Sequence, residues 1–182
     1  MNLVEVYNAT RVAVDEEAVA ALVDRVLVAE GVRDAEVSVE FVGERRIRDL
    51  NREHRGKDQV TDVLSFPLED FDDGPDEWDE DDVEYEPDDE DGRAAAADDA
   101  ADGGEAGPPR LLGDVVICAR QALRQARADG LPEAFELAVL LVHGALHLLG
   151  HDHETDAGQM ALRQAEVLEL LSWEGLLVSP PR

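Results

Sequence analysis

Residues 132–153 read PEAFELAVLLVHGALHLLGHDH, and the first eighteen of them leave a helix little polar surface. Leu137, Val139, Leu140, Leu141, Val142 and Leu146 cover most of its circumference, so a helix from Pro132 to Leu149 must be packed on several sides. Pro132 suits the first turn, where its missing N–H costs little. A helix so enclosed needs a sheet and other helices around it, which is the layered arrangement of an α/β (α+β) domain.

The flanking sequence supplies those layers. Met1 to Asn8 has the apolar residues of a short strand, and Asp15 to Glu30 repeats Val19, Leu22, Val23, Val26 and Leu27 at helical spacing before Gly31 stops it. Val32 to Phe41 alternates as a half-buried strand does, and Glu44 to Arg55 returns to helical period around Ile47 and Leu50. Thr61 to Pro67 and Leu111 to Ala119 give two more strands, and Gln121 to Asp129 and Asp156 to Leu171 two more helices. The expectation is one domain over residues 1–182, with a mixed sheet of about four strands packed with helices.

Charge is distributed very unevenly. The chain has 182 residues, 44 of them acidic against 16 basic, for a net charge of -28, yet 44% are apolar and can form a core. Residues 69–108 hold 20 of the carboxylates and a single base, Arg93. That stretch repeats Asp, Glu, Gly, Ala and Pro and cannot repay the entropy of ordering, so it reads as a disordered acidic insertion. Lying between two expected strands, it is a long loop rather than a domain boundary, and loop-closure entropy tolerates such lengths. No apolar run reaches the roughly 20 residues of a membrane span, and no secretory signal opens the chain. The lone Cys118 makes no intramolecular disulfide. These features argue for a cytoplasmic protein and against a small secreted scaffold.

Four of the five histidines, His143, His147, His151 and His153, fall in the quoted stretch; the fifth is His54. His143 and His147 are four apart on the helix, separated by about 40° in azimuth and about 6 Å in rise, so both imidazoles can converge on one metal ion. Gly150 permits a left-handed turn, and His153 can fold back as a third ligand. An isolated pair at this spacing is more often a core feature; the third histidine beyond the glycine is what points to metal. His151 could compete for that position, but His153 fits the spacing better. Three imidazoles on Zn²⁺ leave coordination positions open, as catalytic zinc sites do.

The spacing His-x3-His-x2-Gly-x2-His is also that of metzincin proteases, which place a glutamate directly after the first ligand as general base. Gly144 stands there instead, so a protease is the weaker reading. Asp152 and Glu154 are near enough in sequence to orient a histidine or handle a proton.

The run His143-Gly-x-Leu-His147-Leu-x-Gly150-x-Asp152-His153, with Asn51, Arg55, Thr61-Asp-Val-Leu-Ser-Phe-Pro67 and Leu112-Gly-Asp-Val-Val-Ile117, resembles the YbeY family of bacterial ribosomal-RNA maturation factors. The resemblance spans the chain outside the acidic insertion. It implies a single-domain α/β metalloprotein, a single-strand-specific zinc-dependent endoribonuclease of 16S rRNA 3′-end maturation and ribosome quality control. Its partners would be rRNA, the small ribosomal subunit and ribosome-associated proteins, with no membrane and no DNA. Carried across by motif, His143, His147 and His153 would hold one Zn²⁺, and Arg55 would face the metal cleft. His54 departs from the family pattern, in which an aromatic residue commonly precedes that arginine.

RNA cleavage also needs a cation for the non-bridging phosphate oxygens, and the planar, always-charged fork of Arg55 suits that task. Residues 44–58 hold six bases against four acids, a local positive zone in an acidic chain. Without the resemblance, it reads equally well as a solvated helix face with intrahelical ion pairs. Asp62, Ser65, Gly113 and Asp114 read as structural support. Two rival functions remain: another zinc hydrolase, and a ribosome-assembly factor whose zinc is structural.

Overall fold

The computed structural model describes residues 1–68, 109–151, 156 and 158–177. The acidic insertion and its expected disorder lie outside these residues, as do Asp152, His153 and Glu154. The elements run β1 (Leu3–Asn8), α1 (Glu16–Ala29), β2 (Ala35–Phe41), α2 (Glu44–Arg55), β3 (Val63–Pro67), β4 (Arg110–Ile117), α3 (Ala119–Asp129), α4 (Glu133–Leu148) and α5 (Gln159–Glu169). The four strands form one mixed sheet in the order β1-β2-β4-β3. The β1/β2 and β2/β4 pairs are parallel, and β3/β4 is antiparallel. The expected α/β architecture with four strands is the one found.

Alternation along β2 divides the molecule. Ala35, Val37, Val39 and Phe41 are buried on the face covered by α1 and α4, while Glu36, Ser38 and Glu40 are half-buried on the other. The large core joins these residues to Val23, Val26 and Leu27 of α1, Leu137, Leu141 and Leu146 of α4, and Met160 and Val167 of α5. A second, smaller cluster on the opposite face packs Ile47 and Leu50 of α2 over Leu64, Val116 and Cys118. Cys118 is fully buried, and burial raises its thiol above the ordinary range, as suits a small apolar filler.

Most expected boundaries hold to within a few residues. Asp15 proves to be the N-cap of α1, its carboxylate accepting from the Ala18 amide at 3.0 Å. The last helix is shorter than its periodicity suggests. It begins at Gln159, because Gly158 takes φ 91° and the Asp156 carboxylate binds the amides of Gly158 and Met160 at 2.8 and 2.6 Å. Asp156 therefore caps the helix from outside instead of opening it.

Two local devices shape the cleft side of the sheet. Gly113 sits at φ 134° where an added Cβ would stand 2.1 Å from the carbonyl oxygen of Phe66, so only glycine lets β4 pair there with β3. At the end of the hairpin, the Leu68 amide donates to the Leu112 carbonyl at 2.9 Å, and the Arg110 amide to the Asp34 carbonyl at 2.8 Å. Both ends of the insertion are thereby fastened to the sheet.

Candidate active site

α4 carries His143 and His147, and its buried faces fix where they point. Gly144, between the two, lies against the sheet: a Cβ there would meet Val115 Cγ1 at 2.5 Å and Ser65 Oγ at 3.3 Å. The Ser65 hydroxyl donates to the Gly144 carbonyl at 3.3 Å, tying β3 to the helix beside the imidazoles. Position 144 is thus a packing position, with no room for the glutamate that a metzincin base would require.

The two rings are half-buried and meet edge-on, with centroids 4.7 Å apart at 79° and Nε2 atoms 3.2 Å apart. On the far side of the His143 ring, Nδ1 lies 3.0 Å from Gln164 Oε1 on α5. An amide oxygen only accepts, so this bond puts the proton on Nδ1 and leaves the Nε2 lone pair directed at His147. For Zn–N bonds of 2.0–2.1 Å, one edge of a tetrahedron measures about 3.3 Å, so the imidazole pair fits a shared zinc ion. Among the described residues no third His, Cys, Asp or Glu completes a metal-sized cluster; the expected third ligand, His153, lies outside them.

The turn after α4 forms as the glycine predicts. Gly150 takes φ 84°, its amide donates to the His147 carbonyl at 3.1 Å, and the His151 amide reaches back to the Leu146 carbonyl at 3.1 Å. His151 itself points elsewhere. Its Nε2 is 3.4 Å from Glu30 Oε2, in a separate hollow with Val32 and Leu149. Glu30 also takes the Arg163 guanidinium at 2.6 Å, so one carboxylate joins α1, the post-α4 turn and α5.

Arg55 ends α2 where Gly56, at φ 66°, reverses the chain. Asn51, buried beneath, donates to the Gln59 carbonyl at 2.9 Å and so fixes the path from α2 into β3. As a result Arg55, Thr61, Asp62, Ser65, Phe66, His143 and His147 share the walls of one open cleft of about 510 Å³. Asp62, just before β3, spends one oxygen on its neighbours, accepting from Val63 N at 2.9 Å and Thr61 Oγ1 at 3.1 Å. Of the six α2-region bases, Arg48 and Arg52 are engaged with Asp58 and Asp49, the ion-pair pattern of a solvated helix face.

Two groups escaped the sequence reading. Gln164 sits 21 residues from His143 and carries no local signal of its role. Glu136 lies two turns before His143 and is only 7% exposed. Burial, reinforced by Asp62 and then Asp129, pushes its carboxyl above the usual carboxylate range.

Two imidazoles on a buried helix that line one open cleft with a guanidinium, on an α/β sheet, are groups suited to hydrolysis at a phosphodiester. The comparisons with known proteins agree. The family model described as Endoribonuclease YbeY matches residues 5–172, and the chain belongs to that family. It is 45% identical over 143 residues to the Endoribonuclease YbeY of Moorella thermoacetica, covering 77% of this chain and 76% of that protein. The one from Macrococcus caseolyticus is 40% identical over 142 residues, 76% of this chain and 74% of its own length. The match to the Anaeromyxobacter dehalogenans protein is 42% over 151 residues and spans 60% of that longer relative. The solution structure of TM1509 from Thermotoga maritima, 24% identical, shares the fold with a TM-score of 0.53 over 92% of this chain and 87% of that one. No described helix is long and apolar enough to cross a membrane.

Proposed function

We propose that this chain is a zinc-dependent, single-strand-specific endoribonuclease acting on small-subunit (16S) rRNA in 3′-end maturation and ribosome quality control in the cytoplasm. Its family supports RNA cleavage. The observation that carries the rest is the shared cleft, in which Arg55 joins an imidazole pair whose Nε2 atoms are 3.2 Å apart. His143, His147 and His153 would hold the ion. Zn²⁺, when bound, lowers the pKa of water and polarises a phosphoryl oxygen.

The remaining chemistry belongs to the chain. Arg55 pairs with non-bridging phosphate oxygens through its planar fork and offsets their charge as the phosphorus becomes more crowded. Gln164 holds the His143 ring in the tautomer that leaves Nε2 unprotonated. The Ser65–Gly144 contact locks the helix against the strand that forms the opposite wall. With Gly144 packed on Val115, no carboxylate can replace it, and the protease alternative loses its base.

The test measures bound metal, circular dichroism and cleavage of labelled single-stranded and duplex RNA for wild type, His147→Ala and Arg55→Ala. Arg55→Ala should keep fold and metal while losing about 10²-fold or more in cleavage rate, and His147→Ala should lose metal and cleavage together. If both variants cleave as wild type does, the activity comes from a contaminant. If chelated wild type unfolds and Arg55→Ala changes nothing but stability, the zinc is structural and the protein is an assembly factor.

A further inference from the structure

His54 and Phe66 form an edge-to-face ring pair, centroids 4.9 Å apart at 66°, that belongs to two hollows at once. One is the cleft with Arg55 and the imidazoles; the other is a groove of about 390 Å³ between α2 and the sheet face away from the main core. The groove has an apolar floor of Leu50, Val116 and Phe66. Its polar rim follows from strand register. Asp114 of β4 lies opposite both Ser38 of β2 and Phe66 of β3, and Glu40 lies opposite Val116 one step along. None of the Ser38, Glu40 and Asp114 side chains makes a hydrogen bond or ion pair among the described residues. Arg46, two turns before His54 on the same helix, completes the wall.

We propose that this groove is a nucleobase subsite that takes an unpaired base next to the cleaved phosphate, stacked on His54 and Phe66 and selected for an exocyclic amino group. The proposal rests on RNA being the substrate. A flat apolar floor with an aromatic wall suits a base plane, and stacking of this kind is how proteins hold single-stranded RNA. Bare carboxylates repel phosphates but accept N–H donors, and two of them suit the two hydrogens of the exocyclic amino group of adenine, cytosine or guanine better than uracil, which offers only its single imino N3–H flanked by two carbonyl oxygens that a carboxylate repels. Arg46 offsets their field toward a polyanion. Because the ring pair separates the two hollows, a chain whose phosphate faces Arg55 can set its neighbouring base directly on His54.

The experiment measures binding of single-stranded decamers of adenosine, cytidine and uridine, and of an adenosine decamer with one abasic ribose, to wild type, His54→Ala, His54→Tyr and Asp114→Asn, with cleavage followed in parallel. Wild type should prefer adenosine and cytidine to uridine, and the intact adenosine decamer to the abasic one. His54→Ala should weaken adenosine binding about 10-fold and erase the abasic difference, and His54→Tyr should restore both. Asp114→Asn should bring the adenosine-to-uridine ratio toward one at unchanged metal content. If wild type binds and cleaves RNA while His54→Ala and Asp114→Asn keep its affinities and ratios, the subsite is wrong and the nuclease stands. If wild type neither binds nor cleaves any of these RNAs, the RNA reading itself falls, and the subsite with it.

Discussion

Gly144 and Val115 are in direct contact through the absence of a side chain: a Cβ on the glycine would stand 2.5 Å from Val115 Cγ1. Val115 is buried and stiff at χ1, so it cannot swing aside. Gly144→Ala therefore pushes α4 off the sheet, and the roughly 1 kcal/mol that alanine gains in helix propensity does not cover an overpacking cost of about 1–3 kcal/mol. The expected result is a lower urea midpoint and weaker zinc binding, measured together. A variant at least as stable as wild type would show that the helix can shift freely.

Gln164→Leu removes the acceptor for His143 Nδ1 without emptying the space. Loss of such a supporting bond typically lowers metal affinity 10–100-fold. Competition with a zinc-sensitive chelator should read that drop in a protein of unchanged circular dichroism. Gln164→Glu, which keeps an acceptor, should retain affinity.

Arg163 clamps α5 to α1 through Glu30 Oε1 at 2.6 Å, the Ala29 carbonyl at 3.0 Å and Glu166 at 2.9 Å. Glu30 is largely covered, at 13% exposure, so these bonds are worth more than those of a surface pair. Arg163→Ala should cost about 1–2 kcal/mol, seen as a shifted urea midpoint at constant slope. Arg163→Lys, which cannot reach three acceptors, should recover only part.

Glu136 makes a pH prediction. Its folded pKa is raised by burial, so the native state keeps a proton that the unfolded state gives up. Stability from this group is fully present below the unfolded value and is lost as pH rises through the folded value. Glu136→Gln should thus be more stable than wild type at neutral pH, with the difference shrinking as pH falls from the raised folded value to the ordinary carboxylate range and levelling off below it. Groups common to both proteins cancel in that difference; a gap that stays constant with pH would count against the assignment.

Helix α4 and its two histidines were readable because both signals are local: an unbroken apolar surface and a four-residue spacing. The strands were readable for the same reason, through alternation such as that of Ala35 to Phe41. Sheet order was not, since pairing β4 between β2 and β3 is decided by which faces α1, α4 and α2 cover, and no short window contains that information. The role of Gln164 depends on α5 packing back against α4. The early end of the expected α5 was hidden because Asp156 has the composition of a helix start but uses its carboxylate from outside the first turn. Asp114, expected to be structural support, instead carries a carboxylate without a partner among the described residues, because strand register turns it to the α2 face.

The fastening of Leu68 to Leu112 and of Arg110 to Asp34 has a corollary. Since the hairpin is stitched shut before the chain departs and again where it returns, whatever sequence is spliced between those stitches can lengthen, shrink or change its charge while Ser65, Phe66 and the rest of the cleft wall keep their registration. Length and charge of the insert are thereby decoupled from the pairing of β3 with β4 beside the cleft.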